Sequence, residues 1–497
     1  MSETENNMTG AVRVYRGIVY GRYNRFEKAV EQDFVPGDYA EYGAVCPQDP
    51  EHLLKQLGEE SGLRMEEGVL CLSIATPFVA ASGGGKSLPE TSGDENHRVN
   101  GERSLLPVMV WIHGGSYLTG GSEDHRYDVA PLAEAGNVVV VKISYRLGAP
   151  GYLYNEREGV GNLGLEDQRT ALRWIWKHIS AFGGDPGNVT LWGQSAGAHS
   201  VASLIATSTP GERLFSKAIL QSAPLGVKMG RADAGKLCEM FLRRLAERAW
   251  DGAEGVENLD KNGNKRRVEA PNGKFNPESA WEKAKEAPIE DIIAVQTSMR
   301  GKHLAMPFMP VLEDNMFVPE HFGGAPEPGV SLSLSDKAGG KSAPSQGAPE
   351  ASSPLKVLLY YNSEDASVYA RKFLGSALYH TALGRLVTKI ITDYVFKVPA
   401  EKYLKRLRVN GIEAKLLRFS WSPAGGSPLG CCHSIELPFL LGHPEDWVSA
   451  EMLQGITEEE FQYYSKAFKT IWTEFARSGK VDMSSVPCRL LDIQKER

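Results

Sequence analysis

A serine hydroxyl attacks a carbonyl carbon only when a base takes its proton and an acid holds that base in place. Ser195 sits at the centre of Gly193-Gln194-Ser195-Ala196-Gly197. Val189–Trp192 before it reads as a strand and Ala198–Ala206 after it as a helix. A serine on such a strand–turn–helix bend stands above the end of a sheet with its hydroxyl presented. Gly193 and Gly197 predict that strand and helix approach too closely there for a Cβ. The motif alone is a weak signal, so the base and acid must be found elsewhere. Where a serine on such a bend heads a triad, the partners follow it along the chain, acid first. Asp365 comes just after a predicted strand, Lys356–Tyr361, and His433 after another, Ala414–Trp421, and a Gly/Pro loop. Both lie beyond the carboxyl ends of strands, where such sheets carry their sites. Glu364 is the competing acid. A tetrahedral adduct also needs N–H donors for its oxyanion. Gly115 and Ser116 of His113-Gly114-Gly115-Ser116, which follows a predicted strand Pro107–Ile112, and Ala196 at the head of the nucleophile's helix are the candidates. Gly114 permits the turn.

The elements that must position these residues follow from periodicity. Val12–Tyr23 alternates and carries Gly17 and Gly21, which predicts a short antiparallel hairpin. Val69–Thr76 reads as a strand stopped by Pro77, and Val138–Ser144 as a strand buried on both faces. Leu165–Phe182 has helical spacing and closes at Gly183-Gly184-Asp185-Pro186. Lys217–Ser222 is a further strand, residues 233–300 are helical with a polar break at 251–279, and Phe461–Ser478 is a last helix. Strands alternating with helices predict an α/β architecture: a large, mostly parallel twisted sheet flanked by helices, with the antiparallel hairpin at its start. The expected layout is a flexible start at 1–11, one domain at 12–485 with exposed loops at 82–104 and 323–354, and a tail at 486–497.

Composition narrows the function. A formal net charge of −7 gives no electrostatic footprint for nucleic acid or an anionic membrane. No apolar run reaches the roughly 18 residues of a spanning helix, and Met1–Asn7 has neither a basic nor an apolar region of a secretory signal. The six cysteines, Cys46, Cys71, Cys238, Cys431, Cys432 and Cys488, show no metal-type spacing. Sparse thiols predict a reducing, cytoplasmic setting.

Several stretches together resemble the type-B carboxylesterases, a branch of the α/β-hydrolases. They include Val110–Gly115, Tyr145–Ala149, Gly161–Gln168, Phe182–Pro186, Gly193–Gly197, Gln221-Ser222, Pro310-Val311, His433–Phe439, and Trp472 with Phe475–Gly479, in the family's order. The resemblance implies an α/β-hydrolase fold, a triad of Ser195, Asp365 and His433, and an oxyanion hole of Gly115, Ser116 and Ala196. It also implies that Ser222 supports the triad. The implied reaction is hydrolysis of small or medium carboxylic esters through an acyl-enzyme, with no metal or organic cofactor. Alternatives are amide, carbamate or lactone hydrolysis by the same groups, or a catalytically silent binding protein on this fold. Two departures stand out. The family usually has Glu followed by Gly where this chain has Asp365-Ala366, and its common disulfide partner for the Cys46 position is here Val69. The segment between Asp365 and His433 is also short for the family, which implies trimmed helices around the substrate pocket.

Other chemistry-bearing residues read as structural. His113 is expected to hold the oxyanion loop, His199 to pack one turn beyond Ser195, and Arg146 to form a buried ion pair with Asp167 or Glu166. Cys431 and Cys432 read as buried fillers, and Lys265-Arg266-Arg267 as solvated surface.

Overall fold

The computed structural model describes residues 8–9, 12–49, 63–77, 105–208, 212–253, 275–299, 306–312, 354–482 and 490–492. The expected loops at 82–104 and 323–354 lie outside the described residues, Pro354 excepted, as do Lys265-Arg266-Arg267 and Cys488.

Among the described residues eleven strands make one sheet. They are β1 (Met8–Thr9), β2 (Val12–Arg22), β3 (Val30–Glu31), β4 (Val69–Pro77), β5 (Leu106–Ile112), β6 (Val139–Ile143), β7 (Gly184–Gln194), β8 (Lys217–Gln221), β9 (Lys356–Asn362), β10 (Glu413–Phe419) and β11 (Leu490–Asp492). The spatial order is β1-β2-β4-β6-β5-β7-β8-β9-β10-β11, with β3 beside β2. From β6 to β10 every pairing is parallel. The outer strands pair antiparallel.

Period-two alternation divides the strands between two cores. Val108, Val110 and Ile112 of β5 enter one, while Met109 and Trp111 enter the other. Helices α1 (Leu163–His178) and α2 (Ala196–Ala206) pack on the first face. Later in the chain come α3 (Ser367–Leu374), α4 (Ala382–Thr392) and α5 (Val398–Val409), and then α6 (Glu458–Ser478), which packs on the second face. The capping box of Thr457 and Glu460 starts α6, and Gly479 at φ +69° ends it. Under α1, Arg146 and Asp167 form a fully buried bidentate pair at 2.6 and 2.8 Å. Glu166 pairs with Arg169 instead.

The antiparallel N-terminal part is present, but its bounds differ: Val12–Arg22 is one long strand, and it pairs antiparallel with β1 and β3 rather than folding back within itself. Gly17, at φ +68°, lies at a register shift against β4, where its N–H donates to Ser73 Oγ at 3.2 Å. It is a bulge glycine that bends the strand. The start and the tail are not wholly outside the fold either. Met8–Thr9 pairs with β2, and Leu490–Asp492 pairs with β10. Each covers the unpaired backbone groups that a sheet edge would otherwise leave open.

Candidate active site

Every candidate residue lies beyond the carboxyl end of a parallel strand. β7 runs into the bend at Ser195, whose φ of 55° and ψ of −122° are strained for a residue with a Cβ. Its N–H donates to Gln221 O at 2.9 Å, and its carbonyl accepts from His199 N at 2.9 Å. The two glycines are required as predicted. A Cβ on Gly193 would stand 2.5 Å from Gly197 C, and one on Gly197 would stand 2.0 Å from Ile112 O.

The loop after β5 packs against this bend. A Cβ on Gly114 would come within 3.2 Å of Ser195 Cβ. Gly115 has φ +109°, and its carbonyl accepts from Leu118 N and Thr119 N at 3.0 and 3.1 Å. That fixes the peptide dipoles of the loop. Among the described residues, no protein acceptor meets the N–H of Gly115, Ser116 or Ala196. Ala196 opens α2, where N–H groups lack intrahelical partners. His113 holds the loop. Its Nδ1 donates to Gly114 O at 2.8 Å, its ring stacks on Tyr145, and burial lowers its pKa to about 4. His199 is likewise buried, paired with the Tyr117 hydroxyl at 2.8 Å, its pKa lowered to about 4 by burial.

Asp365 is fully buried after β9. Its Oδ2 accepts from Ser222 Oγ and from Asn362 N, both at 2.9 Å. Its Oδ1 meets His433 Nδ1 at 2.9 Å. Glu364 turns away and accepts from Cys431 N at 2.9 Å, so the adjacent carboxylates are told apart by their partners. On the other edge of the ring, Gln194 Nε2 lies 3.2 Å from His433 Nε2 and 2.8 Å from Ser434 Oγ. An amide nitrogen can only donate, so Nε2 accepts and Nδ1 carries the proton given to Asp365. That is the tautomer a general base needs.

Sequence reasoning missed four contributors. Gln194 lay inside the motif without a role. Tyr369 of α3 lies 5.7 Å from the His433 ring, centroid to centroid. Phe396, on the turn between α4 and α5, covers the same ring at 5.3 Å. Glu436 accepts from Gln221 Nε2 and Asn362 Nδ2, both at 2.9 Å, behind the acid. Burial raises its pKa to about 7. The short segment from Asp365 to His433 still holds α3, α4, α5 and the small helix Ser376–Tyr379. Cys431 and Cys432 are buried and free, as are Cys46, Cys71 and Cys238.

The profile described as the carboxylesterase family matches residues 2–323. The chain belongs to the carboxylesterase family. Its reaction class is carboxylic ester hydrolysis. This carboxylesterase is 30% identical to a probable N-octanoylanthranilate hydrolase of Rhodococcus erythropolis, over 97% of this chain and 92% of that one. It is 27% identical to the para-nitrobenzyl esterase of Bacillus subtilis, over 90% and 81% of the two chains. It is also 27% identical to liver carboxylesterase 1 of Oryctolagus cuniculus, over 90% and 76%. A solved thermophilic PNB esterase shares the fold at TM-score 0.69 and 24% identity, covering 97% of this carboxylesterase and 90% of that chain. The family match contains Ser195 and the loop of Gly115 and Ser116 but ends before Asp365 and His433.

Proposed function

We propose that this carboxylesterase hydrolyses small or medium carboxylic esters through an acyl-enzyme on Ser195. His433 acts as general base and Asp365 holds the imidazole. The observation that carries this is the 2.9 Å contact of His433 Nδ1 with the buried Asp365 carboxylate, with Nε2 directed to the elbow. Ser195 Oγ adds to the ester carbonyl carbon as His433 Nε2 takes its proton. The imidazolium is stabilised by Asp365, itself held by Ser222 and Asn362. Negative charge develops on the carbonyl oxygen, and the N–H groups of Gly115, Ser116 and Ala196 receive it. The C–O bond to the alcohol breaks, and His433 returns the proton to the leaving oxygen. Water then adds to the acyl-enzyme, giving its proton to His433. Collapse frees the carboxylic acid and restores the Ser195 hydroxyl. In the resting site Gln194 occupies His433 Nε2. Substrate entry therefore requires Gln194 to yield that lone pair to Ser195. Such tightening on binding is common at catalytic hydrogen bonds.

The same reading assigns the chain to the cytoplasm, on the support of five free, buried thiols among the described residues. No helix among the described residues is long and apolar enough to cross a membrane. The deciding experiment is turnover of p-nitrophenyl esters by Ser195→Ala, beside organophosphate labelling read by intact mass. Loss of turnover and of the adduct supports the reading, and retained turnover overturns it. The corresponding anilides, run in parallel, test the amide alternative.

A further inference from the structure

Helix α4 presents its two faces the wrong way round for a helix on a soluble core. Gly384, Thr388 and Thr392 are buried, while Leu383, Leu386 and Ile390 are 49%, 54% and 56% exposed. Tyr394, one turn on, is 74% exposed. Steps of three, four and four residues make these a single stripe, and a stripe of this kind ordinarily faces the core. Phe373 of α3, 80% exposed, extends the apolar surface.

The helix is fixed in this orientation. Ala366 N donates to Thr392 Oγ1 at 3.0 Å, and a Cβ on Gly384 would stand 1.8 Å from Tyr379 O. Only a glycine lets α4 sit so close, and rolling the stripe inward would break this seat. The inner side of the same segment touches the site, through Phe396 and Tyr369 on the His433 ring.

Charge indicates what meets the outer side. Residues 367–394, which carry the stripe, hold Arg371, Lys372, Arg385 and Lys389 against Asp393, a net of +3 in a chain whose total is −7, and Arg371 pairs with Glu451. Asp393 is paired with Lys389 and Lys397. Lys372 and Arg385 are exposed beside the stripe. An apolar stripe flanked by cations is the pattern of a helix lying in the interface of an anionic bilayer. A contiguous apolar patch of this kind marks an interaction surface.

We propose that the outer face of α3 and α4 docks on an anionic lipid–water interface, which brings lipophilic esters close to the segment that covers His433. The docking stands without the esterase reading, whereas its use in delivering esters rests on that reading. Each Lys or Arg near such a surface strengthens partition by roughly fivefold, and salt weakens that part.

The test is co-sedimentation of the full chain, wild type and Ser195→Ala, with phosphatidylcholine vesicles and with vesicles holding equal parts of phosphatidylglycerol. Both proteins should pellet with the anionic vesicles at least roughly tenfold more strongly than with the neutral ones, and less so in high salt. Leu386→Glu with Ile390→Glu should lose at least roughly tenfold of that partition while keeping wild-type turnover of a water-soluble p-nitrophenyl acetate. Equal pelleting with both vesicle types, or an undiminished double variant, overturns the proposal. So does a wild-type dimer in light scattering that the double variant abolishes, since the stripe would then be covered by a second copy. Ester turnover by Ser195→Ala would sink the esterase reading alone and leave the vesicle result intact.

Discussion

The side-chain amide of Gln194 donates to His433 Nε2 across 3.2 Å, so the residue before Ser195 holds the lone pair that the proposed mechanism gives to Ser195. A carboxylate in its place has no hydrogen to give and sets an acceptor against the Nε2 lone pair. Gln194→Glu is therefore expected to lower kcat/KM by roughly tenfold. Steady-state kinetics on one p-nitrophenyl ester read this, and an unchanged kcat/KM contradicts the role given to Gln194.

The two neighbouring carboxylates give a sharp contrast. Asp365 bonds His433, whereas Glu364 bonds the backbone of Cys431. Asp365→Asn is expected to lower kcat on the order of 10³- to 10⁴-fold, since the amide turns a donor toward Nδ1 and favours the wrong tautomer. Glu364→Gln keeps an acceptor for Cys431 N and should change kcat by no more than a few fold. The reverse ranking in steady-state kinetics would make Glu364 the acid.

Stability is sensitive at the Arg146–Asp167 pair. Both side chains are fully buried, so removing one partner strands the other's charge away from water. Asp167→Asn is expected to cost about 3–5 kcal/mol, measured by chemical unfolding. Replacing both residues by apolar ones of similar volume should recover much of that loss.

Glu436 makes stability depend on pH. Its carboxyl is raised from 4.5 to about 7, first by desolvation and partly by the nearby Asp365 charge. Between those values the folded state keeps a proton that the unfolded chain gives up. Stability from this group is therefore full below about pH 4.5, falls as pH rises through the window, and is lost above about 7. Glu436→Gln carries a fixed cost, because one amide hydrogen faces a donor, but its stability should vary less with pH between 5 and 8. Denaturant midpoints across that range decide it.

Much of the architecture was legible because its determinants are local. Val138–Ser144 could only be a buried strand, and the glycines around Ser195 dictated the bend that their 2.0 and 2.5 Å contacts require. Gly17 misled for the same reason. Locally it reads as a turn, yet its partner is Ser73, 56 residues on. Gln194 and Glu436 gained their roles from residues 239 and 215 positions away, which no spacing rule reaches. Leu386 and Ile390 defeat reasoning from periodicity in another way. Their helical spacing is plain, but it does not tell which side of the helix meets the core.

The strand order carries a consequence for synthesis. Ser195 and the loop of Gly115 and Ser116 sit at the ends of β7 and β5, while Asp365 and His433, the acid and base proposed above, follow β9 and β10, added to the same sheet in sequence. A ribosome-bound chain that has emerged only to β8 displays the strained serine and its amides with no base within reach. On the proposed triad, hydrolytic power is thus withheld until the last parallel strands join, and a nascent chain of this enzyme is expected to be inert toward the esters around it.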